Sequence, residues 1–197
     1  MFKLDTTTKK LIFLNVIIYF VTLLLPSLVY RFFALHLFDS RLFSATQLLT
    51  YQFVHDTSPL HILFNMLMLL VFGSIVEKDY PGKLLTFYIV SGLAAGVLHN
   101  LTVSDDMRMM SSVFNQELTM VGASGAVWGI LALFVMKHPN EKLYPFFLPF
   151  GFKAKWIVGL YFLIELSSAF MAGDNISHFA HIGGALTGII LYFFNRK

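Results

Sequence analysis

Not one cysteine occurs among the 197 residues. A disulfide framework, a zinc thiolate site and a thiol nucleophile are therefore excluded. Charge is scarce as well: Asp, Glu, Lys and Arg make up 13% of the chain, against 57% for hydrophobic residues. A soluble domain of this length cannot hide so much apolar surface, so lipid must be the solvent for most of it. No internal repeat, low-complexity stretch or second domain stands out, and the length suits one domain over residues 1–197. The pattern of a cleavable leader is missing too. The first apolar run, from Leu11, leads into proline and bulky residues rather than a small-residue cleavage site, and is read as a retained helix.

A spanning helix needs about 20 largely apolar residues. Six segments qualify, at about 11–30, 59–76, 83–103, 118–136, 155–171 and 177–194. They predict an all-α fold, a polytopic bundle of six transmembrane helices. Pro59 suits a first helical position, where its missing N–H costs nothing. Basic residues set the orientation. With an inward N-terminus the inner segments hold Lys3, Lys9, Lys10, Lys78, Lys83, Lys137, Lys142, Lys153, Lys155, Arg196 and Lys197, whereas the outer ones hold only Arg31, Arg41 and Arg108. This positive-inside bias predicts that both termini are cytoplasmic. The basic pI of about 9.1 resides in these loops and reads as orientation rather than nucleic-acid binding. Arg31 to Ser58 is too polar to span and too apolar for a free loop. Short amphipathic pieces lying in the outer interface are expected there.

Polar groups in a bilayer are costly, so each needs a reason. Ser124 lies in Gly122-Ala123-Ser124-Gly125, where a polar loop turns into an apolar helix. His61 and Asn65 fall in the first two turns of the second helix, and His181 about one turn into the sixth. All enter from the outer side, so three helices put their polar residues at one depth. His61 and Asn65 are four apart and share a helix face, as do Ser124 and Trp128. His181, Gly184 and Gly188 form one stripe. Gly125/Gly129 and Gly184/Gly188 carry the spacing that lets helix backbones approach in lipid, which would draw His181 towards Ser124. Gly92/Gly96 has the same spacing and is read as packing alone.

A serine hydroxyl is a weak nucleophile that needs a base within hydrogen-bond reach, and neutral imidazole supplies one. The Asn65 amide, the His61 imidazole and the Ser124 backbone N–H are donor types suited to an oxyanion. Trp128 is placed to flank the imidazole. His178 is expected to be solvated near the outer end, and His36, His55, His99 and His138 are read as solvated loop or helix-end groups. Glu165, midway along the fifth segment, is explained by a local hydrogen bond, protonation or water without a catalytic role. No metal or cofactor is expected.

These residues resemble the rhomboid family of intramembrane serine proteases. His61-Ile62-Leu63-Phe64-Asn65 is similar to the family's H-x-x-x-N in the second helix, and Gly122-Ala123-Ser124-Gly125 to its G-x-S-G in the fourth. Ala180-His181-Ile182-Gly183-Gly184 through Gly188 is similar to its A-H-x-x-G-x-x-x-G in the sixth. The resemblance covers essentially the whole chain and suits the basic six-helix bacterial form. The Trp-Arg pair common in the family's first outer loop is not present between Arg31 and Ser58, which bears on the folding of that loop. The resemblance implies a Ser124–His181 dyad without a third acid, His61 and Asn65 at the oxyanion site, and cleavage of transmembrane protein substrates near their outer ends. The minimal six-helix form without a targeting extension makes a bacterial inner membrane the expected location. Water must then reach Ser124 from outside and substrate must enter from lipid, with the fifth helix as gate and Gly173 freeing its outer end. Two rival readings are a non-proteolytic relative that binds membrane clients and a small transporter. Both Ser124 and His181 are present, which opposes the first. Polar residues collected at one depth oppose the second.

Overall fold

The computed structural model describes residues 6–103, 107–109, 113, 117–144, 149–170 and 178–196, and these are mostly helical. Helix α1, Thr7–Leu24, starts at Thr6, whose hydroxyl accepts from Lys9 N at 3.3 Å. Glu77, distant in sequence, also accepts from Thr7 N at 2.6 Å and Thr8 N at 3.0 Å. A carboxylate there meets unpaired N–H groups and the positive end of the helix dipole. The helix stops at Leu24 rather than running to Tyr30 as expected. Pro26 has no N–H to continue the ladder and instead opens a new helix, α2, Pro26–Phe33.

After the segment 34–58, α4 runs over Pro59–Asp79 with one π-helical turn at Leu69–Gly73, and α5 runs over Leu84–Thr102 (α3 is the four-residue turn Gln47–Thr50). Then come α6, Ser124–Lys137, α7, Ala154–Ser168, and α8, His178–Asn195. Three of these helices, α1, α4 and α5, are long and apolar enough to cross a membrane. At one end of the bundle Glu77 holds the start of α1, Asp79 meets His138 at 2.6 Å, and Lys83 donates to Asn195 at 2.7 Å. The starts of α4, α6 and α8 therefore lie together at the other end.

At the centre of the bundle α5, α6 and α8 meet, and α6 and α8 touch there without intervening side chains. A Cβ on Gly184 would overlap the carbonyl oxygen of Gly125, and one on Gly188 would overlap that of Gly129. The same two glycines of α6 also admit α5, Gly125 making room for Ala95 and Gly129 for Ser91. Small residues thus bring main chains into direct contact, the main source of helix association where lipid removes the hydrophobic drive. Gly188→Ala is accordingly expected to cost about 1–3 kcal/mol, the usual size of overpacking. Gly159→Ala on α7, where an added Cβ meets nothing within 4 Å, is expected to be neutral or slightly stabilising. Thermal unfolding of the two variants in detergent checks this, and equal midpoints would contradict it.

Residues 34–58 do not lie on the surface as short amphipathic pieces alone. Leu35–His36 pairs antiparallel with Thr119–Met120, just ahead of Ser124. Leu35 and Tyr51 pack with Ala95, Met120 and Ala180. The Tyr51 hydroxyl donates to Gly92 O at 2.6 Å, and the Tyr88 hydroxyl donates to Gln52 O at 2.8 Å. Gly92 and Gly96 serve this segment rather than a helix: the Gln52 side chain fills the place of a Cβ at Gly92, and Tyr51 and Leu35 close on Gly96. His36 and His55, expected to be solvated, are buried within this segment. Burial, reinforced by His61, pushes the His55 imidazole down to about 4, so it stays neutral near pH 7.

Candidate active site

Ser124 is the first residue of α6, rather than lying inside a helix begun near 118 as the segment 118–136 predicts, because the preceding backbone turns at Gly122 with φ +124°. Only glycine adopts that conformation without strain. Gly122 is fixed there by its own N–H, which donates to Tyr51 O at 3.1 Å. As the opening residue of the helix, Ser124 has a backbone N–H with no partner within the helix, set at the positive end of the dipole.

The hydroxyl of Ser124 lies 2.8 Å from His181 Nε2. The glycine contact of α6 with α8 makes this possible, since His181 sits one turn before Gly184. Trp128, one turn along α6, stacks on the His181 ring at a centroid distance of 5.8 Å and an angle of 28°. The other imidazole nitrogen, Nδ1, lies 2.9 Å from Glu165 Oε2. A carboxylate only accepts, so Nδ1 carries the hydrogen and Nε2 is left with a lone pair directed at Ser124. That is the tautomer a general base requires.

Glu165 is not midway along its helix. Because α7 ends at Ser168, the carboxylate belongs to its last turn, about 5 Å from the end at 1.5 Å per residue. His178, expected to be solvated, is buried, and its Nδ1 meets the same Glu165 oxygen at 2.6 Å. The i, i+3 spacing of His178 and His181 therefore turns two imidazoles towards one carboxylate. Sequence reasoning passed over this grouping, although a carboxylate alone in an apolar helix signals that a partner must exist. Glu165, His178 and His181 are also close enough together to hold a metal ion. Hydrogen bonding between carboxylate and imidazole already accounts for their approach.

Across Gly122 stands His61. A Cβ on Gly122 would come 2.9 Å from His61 Nε2. Its Nδ1 meets Asp56 Oδ2 at 2.8 Å, and Asp56 Oδ1 accepts from Ser58 N at 2.8 Å. Asp56, also unremarked in the sequence, thus sets the plane of the His61 ring. Donation through Nε2 while Nδ1 faces Asp56 requires hydrogen on both ring nitrogens. Asn65 is buried and donates one amide hydrogen back to His61 O at 2.9 Å. An amide carries two hydrogens, so this bond leaves one for another acceptor. The structure thus joins Ser124, His181 and Trp128 directly, and sets His61 against the Gly122 turn. Asn65 stands one turn along α4 from His61. Gly173, the expected hinge, lies outside the described residues.

Three helices fit for a bilayer, with a serine and a histidine meeting where two further helices begin, suit a multi-pass membrane protein that carries a half-buried serine–histidine pair. The Rhomboid domain family matches residues 43–197, and the chain belongs to that family. It is 32% identical over 136 residues to RHOMBOID-like protein 2 of Arabidopsis thaliana, a match covering 68% of this chain and 37% of that protein. It is 30% identical over 142 residues to rhomboid protease GlpG of Haemophilus influenzae, covering 71% and 65% respectively. The mouse presenilin-associated rhomboid-like protein, mitochondrial, is 30% identical over 130 residues, covering 66% of this chain and 33% of the relative. The chain thus spans between about a third and two thirds of these relatives.

Proposed function

We propose that this chain is an intramembrane serine endopeptidase that cuts transmembrane protein substrates near the outer membrane face. The observation that carries this reading is the 2.8 Å approach of Ser124 Oγ to His181 Nε2. The name of the Haemophilus relative, a rhomboid protease, supports it.

In this reading the Ser124 oxygen attacks the substrate carbonyl carbon while its proton passes to His181 Nε2. The imidazolium then returns that proton to the departing amine as the C–N bond breaks, leaving an acyl group on Ser124. Water, deprotonated by the same nitrogen, attacks the ester and releases the second product. The tetrahedral oxyanion is met by the Ser124 backbone N–H, Asn65 and His61. Trp128 holds the plane of His181, and Gly122 gives His61 room to face the reacting carbon.

Six spans with both termini in the cytoplasm complete the reading, supported by eleven basic residues in the inner segments against three in the outer. The starts of α4, α6 and α8 then face outward together. The membrane is read as a bacterial cell membrane, in keeping with the bacterial source of the GlpG relative. No metal or cofactor takes part.

The test is purified protein in proteoliposomes, incubated with single-span substrates and, separately, with a fluorophosphonate. The expected result is cleavage together with labelling confined to Ser124. Intact protein that neither cleaves nor labels refutes the reading.

The oxyanion assignment has its own test. Asn65→Ala is expected to lower kcat by about 10²–10³ with little change in KM, the usual effect of losing a donor to the transition state. Partial compensation by His61 would reduce that loss, so His61→Ala with Asn65→Ala is the stricter measurement. Unchanged kcat with a raised KM in the double variant would make these residues substrate-binding groups instead.

A further inference from the structure

The dyad implied by the family resemblance has no acid, yet in this chain a carboxylate touches the imidazole. Glu165 arrives from α7, a helix separate from those carrying Ser124 and His181, and places Oε2 2.9 Å from His181 Nδ1. Its side chain is 17% exposed and that of His181 13%, so the bond is largely withdrawn from solvent. The same oxygen receives His178 Nδ1 at 2.6 Å. Two donors converging from successive turns of α8 fix the direction of the carboxylate more firmly than one. Among the described residues of α7 only Ala154, at the far end, is buried, and Trp156, Leu160, Leu163 and Ile164 all face outward. Glu165 is therefore a polar contact from a helix that otherwise packs lightly.

We propose that Glu165 is a positioning residue that completes a serine–histidine–glutamate triad. This rests on the reading of Ser124 and His181 as nucleophile and base. Glu165 holds the proton of His181 on Nδ1, keeps Nε2 aimed at Ser124, and stabilises the imidazolium formed when the serine proton arrives. The proton stays on His181 throughout, and Glu165 remains a carboxylate. His178 is the second anchor of that carboxylate and takes no proton from substrate. The titratable groups facing His181 are Glu165 from α7 and His178 from its own helix, while His61 on α4, with Asp56 from the segment ahead of it, stands beyond Gly122.

The test compares wild type, Glu165→Gln and Glu165→Asp in proteoliposomes. It measures kcat and KM for a cleaved single-span substrate across pH 5 to 9, with fluorophosphonate labelling of Ser124 and a thermal midpoint for each protein. Glu165→Gln is expected to lose about a hundredfold in kcat with KM little changed, as when a base loses the group that orients it. Without the carboxylate the imidazolium is less favoured, so the acid limb of the rate profile moves to lower pH. Glu165→Asp restores part of the rate and returns the limb towards wild type. A Glu165→Gln profile that matches wild type in kcat within twofold and in its acid limb overturns the proposal. So does a loss of rate fully explained by a matching fall in labelled protein with the limb unmoved, since that marks a structural role. Should Glu165→Gln fail to fold, the acid limb of Glu165→Asp decides, and an unmoved limb with unchanged kcat is the adverse result. Wild-type protein that neither cleaves nor labels refutes the serine reading instead, so the two failures are told apart.

Discussion

Replacing Ser124 by alanine is expected to reduce cleavage to background. The change removes the oxygen proposed to form the acyl bond, and in serine proteases loss of the nucleophile is worth about 10⁶ in kcat. Any residual turnover above about a hundredth of wild type would be incompatible with that role. Stability should hardly move. Among the described residues the hydroxyl makes one hydrogen bond, to His181, and such a bond contributes about 1 kcal/mol. Alanine is also an excellent helix former at the opening position of α6. The two quantities are measured on the same preparation: turnover of a single-span substrate, and the thermal midpoint in detergent. Lost cleavage with a midpoint that collapses as well would point to a folding defect and leave the nucleophile unassigned.

The histidines of α8 should separate sharply. His181→Ala removes the group 2.8 Å from Ser124 Oγ, and both cleavage and fluorophosphonate labelling of Ser124 are expected to vanish, a loss of about 10⁴ or more. His178→Ala takes away one of two donors to Glu165 and leaves the other, so turnover within about tenfold of wild type is expected. Its burial is a reason to measure stability beside activity. An active His181→Ala beside a dead His178→Ala would require α8 to be rotated from the geometry described here.

Much of this arrangement is readable from residue order, and the physical reason is the cost of polar groups in lipid. Ser124, His61, Asn65 and His181 announce themselves because each interrupts an apolar segment near the same end. Glycine spacing then indicates which helices can touch closely enough to join Ser124 with His181. Segment 34–58 is different. Its position depends on hydrogen bonds such as Tyr51 to Gly92, 41 residues apart, and on a strand pair only two residues long. Neither leaves a period in the sequence. His36 and His55 look like loop histidines for the same reason. Asp56 and Glu165 were legible only as charges in need of partners. Which imidazole each would meet depends on how the segment ahead of α4 places Asp56 and how α7 places Glu165. For Glu165 that turns on α7 stopping at Ser168.

The contact of Gly125 with Gly184, and of Gly129 with Gly188, has a mechanical consequence. Where side chains separate two helices, rotamer changes give the joint some play. Here carbonyl oxygens rest against glycine α-carbons, so no rotamer lies between the bars. The gap between Ser124 and His181 is consequently a dimension of the backbone frame, set by how far one main chain stands from another. Enlarging a lipid-facing side chain on α6 or α8 leaves that dimension alone. One added methyl group on the inner stripe changes it at once. Loss of alignment and loss of the frame are then the same event, so heat should abolish activity at the temperature at which the helices part.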